Sequence, residues 1–483
     1  MQRRTFLRST AVAAIAAVPL GTTLTTSASA ADIPVASLAA LQSAINSAGP
    51  GDRIVVANGT YTVPSGGALT ISGKHGTEAA PITIVAQSRG GAVLKGERSF
   101  VLSDSTNIVL SGFAFRQSTT LELPVSCSGI RLTRNDFQLA DTTDLDWVVV
   151  RSDDSKIDRN HFHDRTTAGI FLVVDGPSDT SVMTQRTHIL RNYFSDHSYG
   201  GTNGGEPIRI GYSKRALASA DATVEYNLFE RCDGDPEAIS VKSSDNTVQY
   251  NTIRDSLGGI VLRHGNRSTV QGNYVIGGTN GVRLYGNDHT IVNNYISGLS
   301  GRALVIGSGS TRDHNTSESD EERKGNDAVD RALIAHNSLI GNAETLEGET
   351  RTYAPQDVVV ADNLLVGDAG SLVAMGATTR FTWQSNLLWG AAANGNIPAG
   401  GFTRADPRLA QGADGVMRLT AASPAIGAAT LADAPVTDDI DGDPRGSVRD
   451  IGADEYATTA ALRHPLTTAD VGPNAPEPEP APR

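Results

Sequence analysis

Three basic side chains, Lys242, Arg263 and Arg283, follow one another at intervals of 21 and 20 residues. Such even spacing in a stretch with strand-like alternation puts side chains at matching positions on stacked strands, ~4.8 Å apart. Cations stacked so closely repel one another unless an anion balances them. The row therefore reads as a site for an anionic ligand rather than as a stabilising device. Asp235 and Glu237 lie two residues apart in DGDPEAIS and share a face if the backbone there is extended. With the amide oxygen of Asn203 they would form an oxygen-rich cluster suited to a hard cation such as Ca2+ with several waters. The same acids could instead pair with Lys242 and Arg263, and spacing leaves both arrangements open.

The elements that must hold these residues show a short internal period. The motif Asn-x-(Phe/Leu/Ile/Val) recurs at Asn135, Asn160, Asn192, Asn227, Asn251, Asn273, Asn294, Asn337, Asn363 and Asn386. The base interval is near 22–26 residues, with one of 21 and longer ones at 32, 35 and 43; the last is either two repeats or one carrying the charged segment 311–330. Between the asparagines lie short alternating stretches such as Gly259-Ile260-Val261-Leu262-Arg263, bounded by Gly, Asn and Asp, which is a strand signal. Three short strands per repeat predict an all-β, single-domain, right-handed parallel β-helix. The asparagines would ladder their amides at one turn of each coil. Leu38, Leu41 and Ile45 recur at helical spacing before Gly49-Pro50-Gly51, predicting a short N-terminal helix that caps the open end of the solenoid.

Charge and composition narrow the possibilities further. The 483 residues carry 40 Lys+Arg against 53 Asp+Glu, a net charge of −13, which argues against a general nucleic-acid binder. It also sits awkwardly with an acidic polymer as ligand, but residues 205–302 hold ten basic and ten acidic side chains and are locally neutral. Residues 1–30 combine Arg3-Arg4-Thr5-Phe6-Leu7, a short apolar run and Ala28-Ser29-Ala30, which predicts a cleaved twin-arginine-type export signal and a secreted product not held in a membrane. Removing it deletes three arginines and takes the net charge to −16. Residues 31–473 form the expected β-helix domain, and 474–483 (NAPEPEPAPR) a Pro-rich acidic tail. Cys127 and Cys232 are too few for a disulfide framework and are expected as separate small core residues.

The segments NGGEPIRIG, PEAISVKSS, LRHGN and GVRLYG, with the closing PLTTADVGP, resemble polysaccharide lyase family 6, which includes alginate lyases and chondroitinase B. The resemblance runs from about Ser37 to Pro473. It implies Lys242 as catalytic base, Arg263 as catalytic acid, and Asn203, Asp235 and Glu237 as Ca2+ ligands. Asp235 stands where the family carries Glu, a shorter reach that leaves room for a water. His264 and Arg267 match substrate-contacting positions, and Arg209 and Arg283 are further candidates for that role. The implied reaction is β-elimination on a uronate polymer, with alginate the first expectation and dermatan sulfate the second, by a monomer. Ca2+ would neutralise the substrate carboxylate. A lysine acts as base only when deprotonated, against an unperturbed pKa of ~10.4, and neighbouring cations favour that state. A guanidinium is a reluctant proton donor, so water or His264 could supply the proton to the leaving oxygen. A glycoside hydrolase using Asp233, Asp235 or Glu237, a C5-epimerase and a non-catalytic carbohydrate-binding β-helix are the rivals.

Overall fold

A computed structural model describes residues 32–178, 180–432 and 434–477. The expected export signal and the end of the Pro-rich tail lie outside the described residues. The chain forms a parallel β-helix of three long sheets, two of 14 strands and one of 11. In each coil a strand of the first sheet (such as Thr223–Glu225) leads through an asparagine turn into the second (Leu228–Cys232). The chain then enters the 11-stranded third sheet (Glu237–Lys242) and returns to the first at Thr247–Gln249. Among the described residues no helix is long and apolar enough to cross a membrane.

The asparagine motif is the structural key to the stack. All ten asparagines form one continuous ladder. From Asn135 to Asn363, the backbone N–H and the side-chain amide of each donate to Oδ1 of the next at 2.8–3.1 Å. The residue before each asparagine is left-handed, with φ between 50° and 62°, which turns the chain sharply from the first sheet into the second. Asn294 bonds directly to Asn337, so the 43-residue interval is one coil carrying an insertion. Two residues after each of the first asparagines a phenylalanine points inward. Phe137, Phe162, Phe194 and Phe229, joined by Phe115 from the coil before Asn135, stack with centroids 4.6–5.0 Å apart and planes within 9° of parallel. Ile253, Val275, Ile296, Leu339, Leu365 and Leu388 continue that column in register.

The N-terminal helix spans Leu38–Ser47, its first turn capped by the Ser37 hydroxyl, which accepts from Ala40 N–H at 3.2 Å. Leu41, Ala44 and Ile45 are buried against the first coil, closing the apolar column as expected. Cys127 and Cys232 are free and buried.

After the last coil strand, Phe402–Arg404, the chain turns back along the outside of the stack. Asp362 accepts from Thr430 and Leu431 N–H, Asp441 from the Tyr274 hydroxyl, Thr252 Oγ1 from Leu466 N–H, and the carbonyls of Pro473 and Ala475 from Arg134. This strap follows the asparagine turns from the coil of Asn363 back to that of Asn135. The tail up to Glu477 is docked, its carboxylate on Arg134.

Candidate active site

The third sheet carries Lys242, Arg263 and Arg283 on three successive strands. Ile239, Val241, Ile260 and Leu262 point into the core, so Ser240, Lys242 and Val261 face out. The lateral row Arg209, Ser240, Val261, Arg283, Val305 is continuous. The neighbouring row joins Gly211, Lys242 and His264. The even 21-residue spacing thus misleads in detail. Lys242 pairs with His264, not Arg263, and Arg283 pairs with Val261. Of two register shifts between the strands of Lys242 and Arg263, one leaves Ala238 as an extra residue and the other leaves Arg263 as one, and the second moves Lys242 onto His264. Arg283 meets Val261 through the unshifted register of the next pair. A bulge residue has no lateral partner and is re-aimed relative to its strand. No carboxylate among the described residues pairs with Arg263; its guanidinium lies over the Tyr285 ring at 5.7 Å.

Tyr285 is fully buried and forms the floor beneath three guanidiniums, those of Arg263, Arg283 and Arg351, each 5.7–5.8 Å from its centroid. Its hydroxyl donates to Glu349, and burial pushes its pKa to about 12.

Beside the cations lie three neighbouring carboxylates, with Asp235 near enough to Glu206 and Glu237 to feel the charge of both. Glu206 is 1% exposed and its Oε1 accepts from Lys242 Nζ at 3.3 Å. Glu237 accepts from Arg283 at 3.0 Å and from the Ser240 hydroxyl. Asp235 Oδ1 accepts from Glu237 N–H at 3.0 Å. Asp235 Oδ2 and Glu206 Oε2 are buried with no hydrogen-bond partner among the described residues. Burial, together with Glu206 and Glu237, raises the Asp235 pKa to about 7. The two loops meet because Gly205 and Gly234 are in backbone contact: a Cβ on Gly205 would fall 2.3 Å from Gly234 O. Gly211 lies against Lys242 in the same way, with φ +82° and a Cβ that would meet Lys242 O at 2.8 Å.

The expected pairing of Asp235 and Glu237 with Lys242 and Arg263 is not the one that forms. Glu237 is ion-paired to Arg283, and Asp235 is paired to no cation among the described residues. Glu206, within the NGGEPIRIG segment yet given no role there, is the acid that contacts Lys242. Asn203 is exposed on the preceding loop and makes no hydrogen bond to the three acids. Arg209 stacks on Tyr212 at 4.0 Å and lies 3.6 Å from Asp146. Arg267 is engaged elsewhere: it sits at a turn, half-exposed, in a bidentate pair with Asp245 at 2.7 and 2.8 Å. The same pairing recurs as Asp154–Arg186, Asp288–Arg331 and Asp357–Arg380, each joining neighbouring coils. Asp and Arg at one-coil spacing were the available signal that Arg267 belongs to this turn series.

His264 is 5% exposed, with Nδ1 lacking a hydrogen-bond partner among the described residues. Burial, then Arg263, Lys242 and His314, lower its pKa to about 3, so the imidazole is neutral near pH 7. His314 belongs to the charged insertion, its ring 6.5 Å from that of His264. Arg323 of the insertion donates to Lys214 O at 3.1 Å, fastening the segment to the loop after the Arg209 strand.

A parallel β-helix whose third sheet groups cations beside buried carboxylates is a solenoid built around a polar site. The chondroitinase B family model matches residues 35–371, and the chain belongs to that family, polysaccharide lyase family 6. Among solved structures, the family 6 alginate lyase AlyGC is 25% identical with a TM-score of 0.72, over 93% of this chain and 60% of AlyGC. A mannuronic-acid-specific family 6 lyase from human gut microbiota is 25% identical with a TM-score of 0.68, over 78% of this chain and 91% of that one. The family 6 lyase Pedsa3628 of Pseudopedobacter saltans shares the fold at 21% identity and a TM-score of 0.66, over 92% of this chain and 100% of that one. The chain spans about 60% of the length of AlyGC. The search of curated proteins finds no match.

Proposed function

We propose that the protein is an exported polysaccharide lyase that cleaves alginate by Ca2+-assisted β-elimination, releasing 4,5-unsaturated oligosaccharides. The observation that carries this reading is the contact of Lys242 with Glu206 next to Asp235, both acids buried and each with a carboxylate oxygen that has no partner among the described residues. Orphaned buried carboxylate oxygens are costly, and three neighbouring acids fit a hard cation. Glu206, Asp235 and Glu237 would hold Ca2+, with Asn203 reaching from its loop. Bound Ca2+ supplies positive charge that neutralises a uronate carboxylate and so acidifies the C5 proton.

The chain's own groups do the rest. Lys242 ends its strand with the amine on the outer face and takes the C5 proton. Arg263, aimed by its bulge and unpaired among the described residues, meets the negative charge that develops on the carboxylate and the leaving O4. His264 carries no proton to give near pH 7, because its pKa is lowered to about 3. It packs as a neutral imidazole beside Lys242, and water delivers the proton to O4. The Tyr285 hydroxyl is buried on Glu349 and supports the arginines from below. A hydrolase on Asp233 is disfavoured, since that carboxylate accepts from Leu257 N–H at 2.8 Å. Alginate is favoured over dermatan sulfate because AlyGC and the gut-microbiota enzyme are described as alginate- and mannuronate-directed lyases.

A panel of polymannuronate, polyguluronate, mixed alginate, dermatan sulfate and polygalacturonate, read for ultraviolet-absorbing unsaturated ends, tests the assignment. Product from alginate substrates is expected. New reducing ends without a double bond would identify a hydrolase, C5 exchange without cleavage an epimerase, and product from dermatan sulfate alone would move the substrate.

A further inference from the structure

The outer face of the second sheet carries a separate cluster. Asp136 and His161 are lateral partners on neighbouring coils, and His163 lies two residues along the same strand, His161–Arg165. Since Phe137 and Phe162 point inward, all three polar side chains face out. One ligand atom from each lies within 4.8 Å of the others. His163 Nε2 is 3.1 Å, and His161 Nδ1 4.0 Å, from the same atom, Asp136 Oδ2. Tetrahedral coordination with bonds of ~2.1 Å sets ligand atoms ~3.4 Å apart, between those two separations.

The remaining ring nitrogens are held as metal-ligating imidazoles usually are. His161 Nε2 lies 3.0 Å from Ser195 Oγ, and His163 Nδ1 lies 2.9 Å from the Asp164 carboxylate. Tyr193 stacks on His161 with centroids 4.4 Å apart, fixing the plane of that ring. The side chains remain 13–27% exposed, so an ion can enter from solvent. Arg116 pairs with Asp136, but through Oδ1, leaving Oδ2 directed at the histidines.

We propose that Asp136, His161 and His163 form a binding site for a divalent transition ion of the Zn2+ type, on a different sheet from the carboxylates near Lys242. Two imidazoles and one carboxylate select borderline ions over Ca2+. Binding replaces the proton shared between His163 and Asp136, and water completes the shell. The ion clips the coil of Asn135 to that of Asn160.

The test is a Co2+ titration of chelator-stripped full-length protein with Ca2+ held saturating, followed by visible absorbance and then by Zn2+ displacement. One equivalent of Co2+ with a ligand-field band, displaced by Zn2+ but not by more Ca2+, is expected. His161→Gln and His163→Gln should each weaken binding at least ~30-fold, and Ser195→Ala about 10-fold, with circular dichroism of the ion-free variants matching the parent. Absence of the band in the parent, or parental affinity in His161→Gln and His163→Gln, would overturn the proposal and leave His163 as an ion-pair bridge between Asp136 and Asp164.

Discussion

Binding of Ca2+ at the carboxylate cluster should expel a proton from Asp235. That side chain is 3% exposed, and its pKa is raised from 3.8 to about 7 by burial and then by Glu206 and Glu237. A carboxyl whose folded pKa lies above its unfolded one binds more protons in the native state between the two values. Ion-free stability should therefore fall as pH rises from about 4 to 7, by up to ~1.4 kcal/mol per unit and on the order of 4 kcal/mol in all. Ca2+ reverses this by favouring the ionised form, so its stabilising effect should be larger at pH 8 than at pH 5. The protons released follow the fraction of Asp235 still protonated, about 0.9 per Ca2+ at pH 6, 0.5 at pH 7 and 0.1 at pH 8. Titration calorimetry in buffers of different ionisation enthalpy reads that number directly. Asp235→Asn should bind Ca2+ more weakly and release almost no proton. A parent protein that binds Ca2+ at pH 6 with no proton release would refute this account of the cluster.

Lys242→Ala should reduce formation of unsaturated product by about 10³-fold or more with the circular dichroism of the folded protein retained; full activity would remove Lys242 from the chemistry. Chelation should abolish turnover and added Ca2+ restore it, whereas indifference to chelator would leave the three acids as ion-pair partners alone. Asn273→Ala orphans buried groups on both neighbouring coils and should cost on the order of 3 kcal/mol in urea unfolding. A loss below about 1 kcal/mol would mean that the ladder carries little of the stack's stability. Arg267→Ala should cost about 0–1 kcal/mol, as exposed pairs do, without altering KM; a tenfold rise in KM would place that guanidinium on the substrate.

The solenoid was legible because its signal is local and repeated. Each asparagine must meet the next one at a fixed turn, so the requirement reappears in every coil, and the phenylalanine two residues on marks the core. Lys242, Asp235 and Glu237 were legible because they share one strand and the turn before it. The position of Arg263 was not, since a single extra residue shifts the register without disturbing hydrophobic alternation beyond it. Glu206 was hidden for a different reason: 36 residues separate it from Lys242, a distance set by the long loop between Asn192 and Asn227. The return strap carries no period at all, because it binds the stack through individual backbone groups rather than through a repeated side chain.

That strap changes how the molecule should come apart. A bare stack of coils touches only its neighbours, so its ends can fray one coil at a time, each opening at small cost. Here Arg134 holds the carbonyl of Ala475, 341 residues away in sequence, and the intervening contacts cross every coil between. Such a distant closure forms only after the coils exist, which makes it a late and slow step in folding. Once made, it ties the early coils to the late ones, so that losing one end loosens the seam along the whole length. Removing residues 430–477 should therefore turn a single sharp melting transition into a broad, stepwise one.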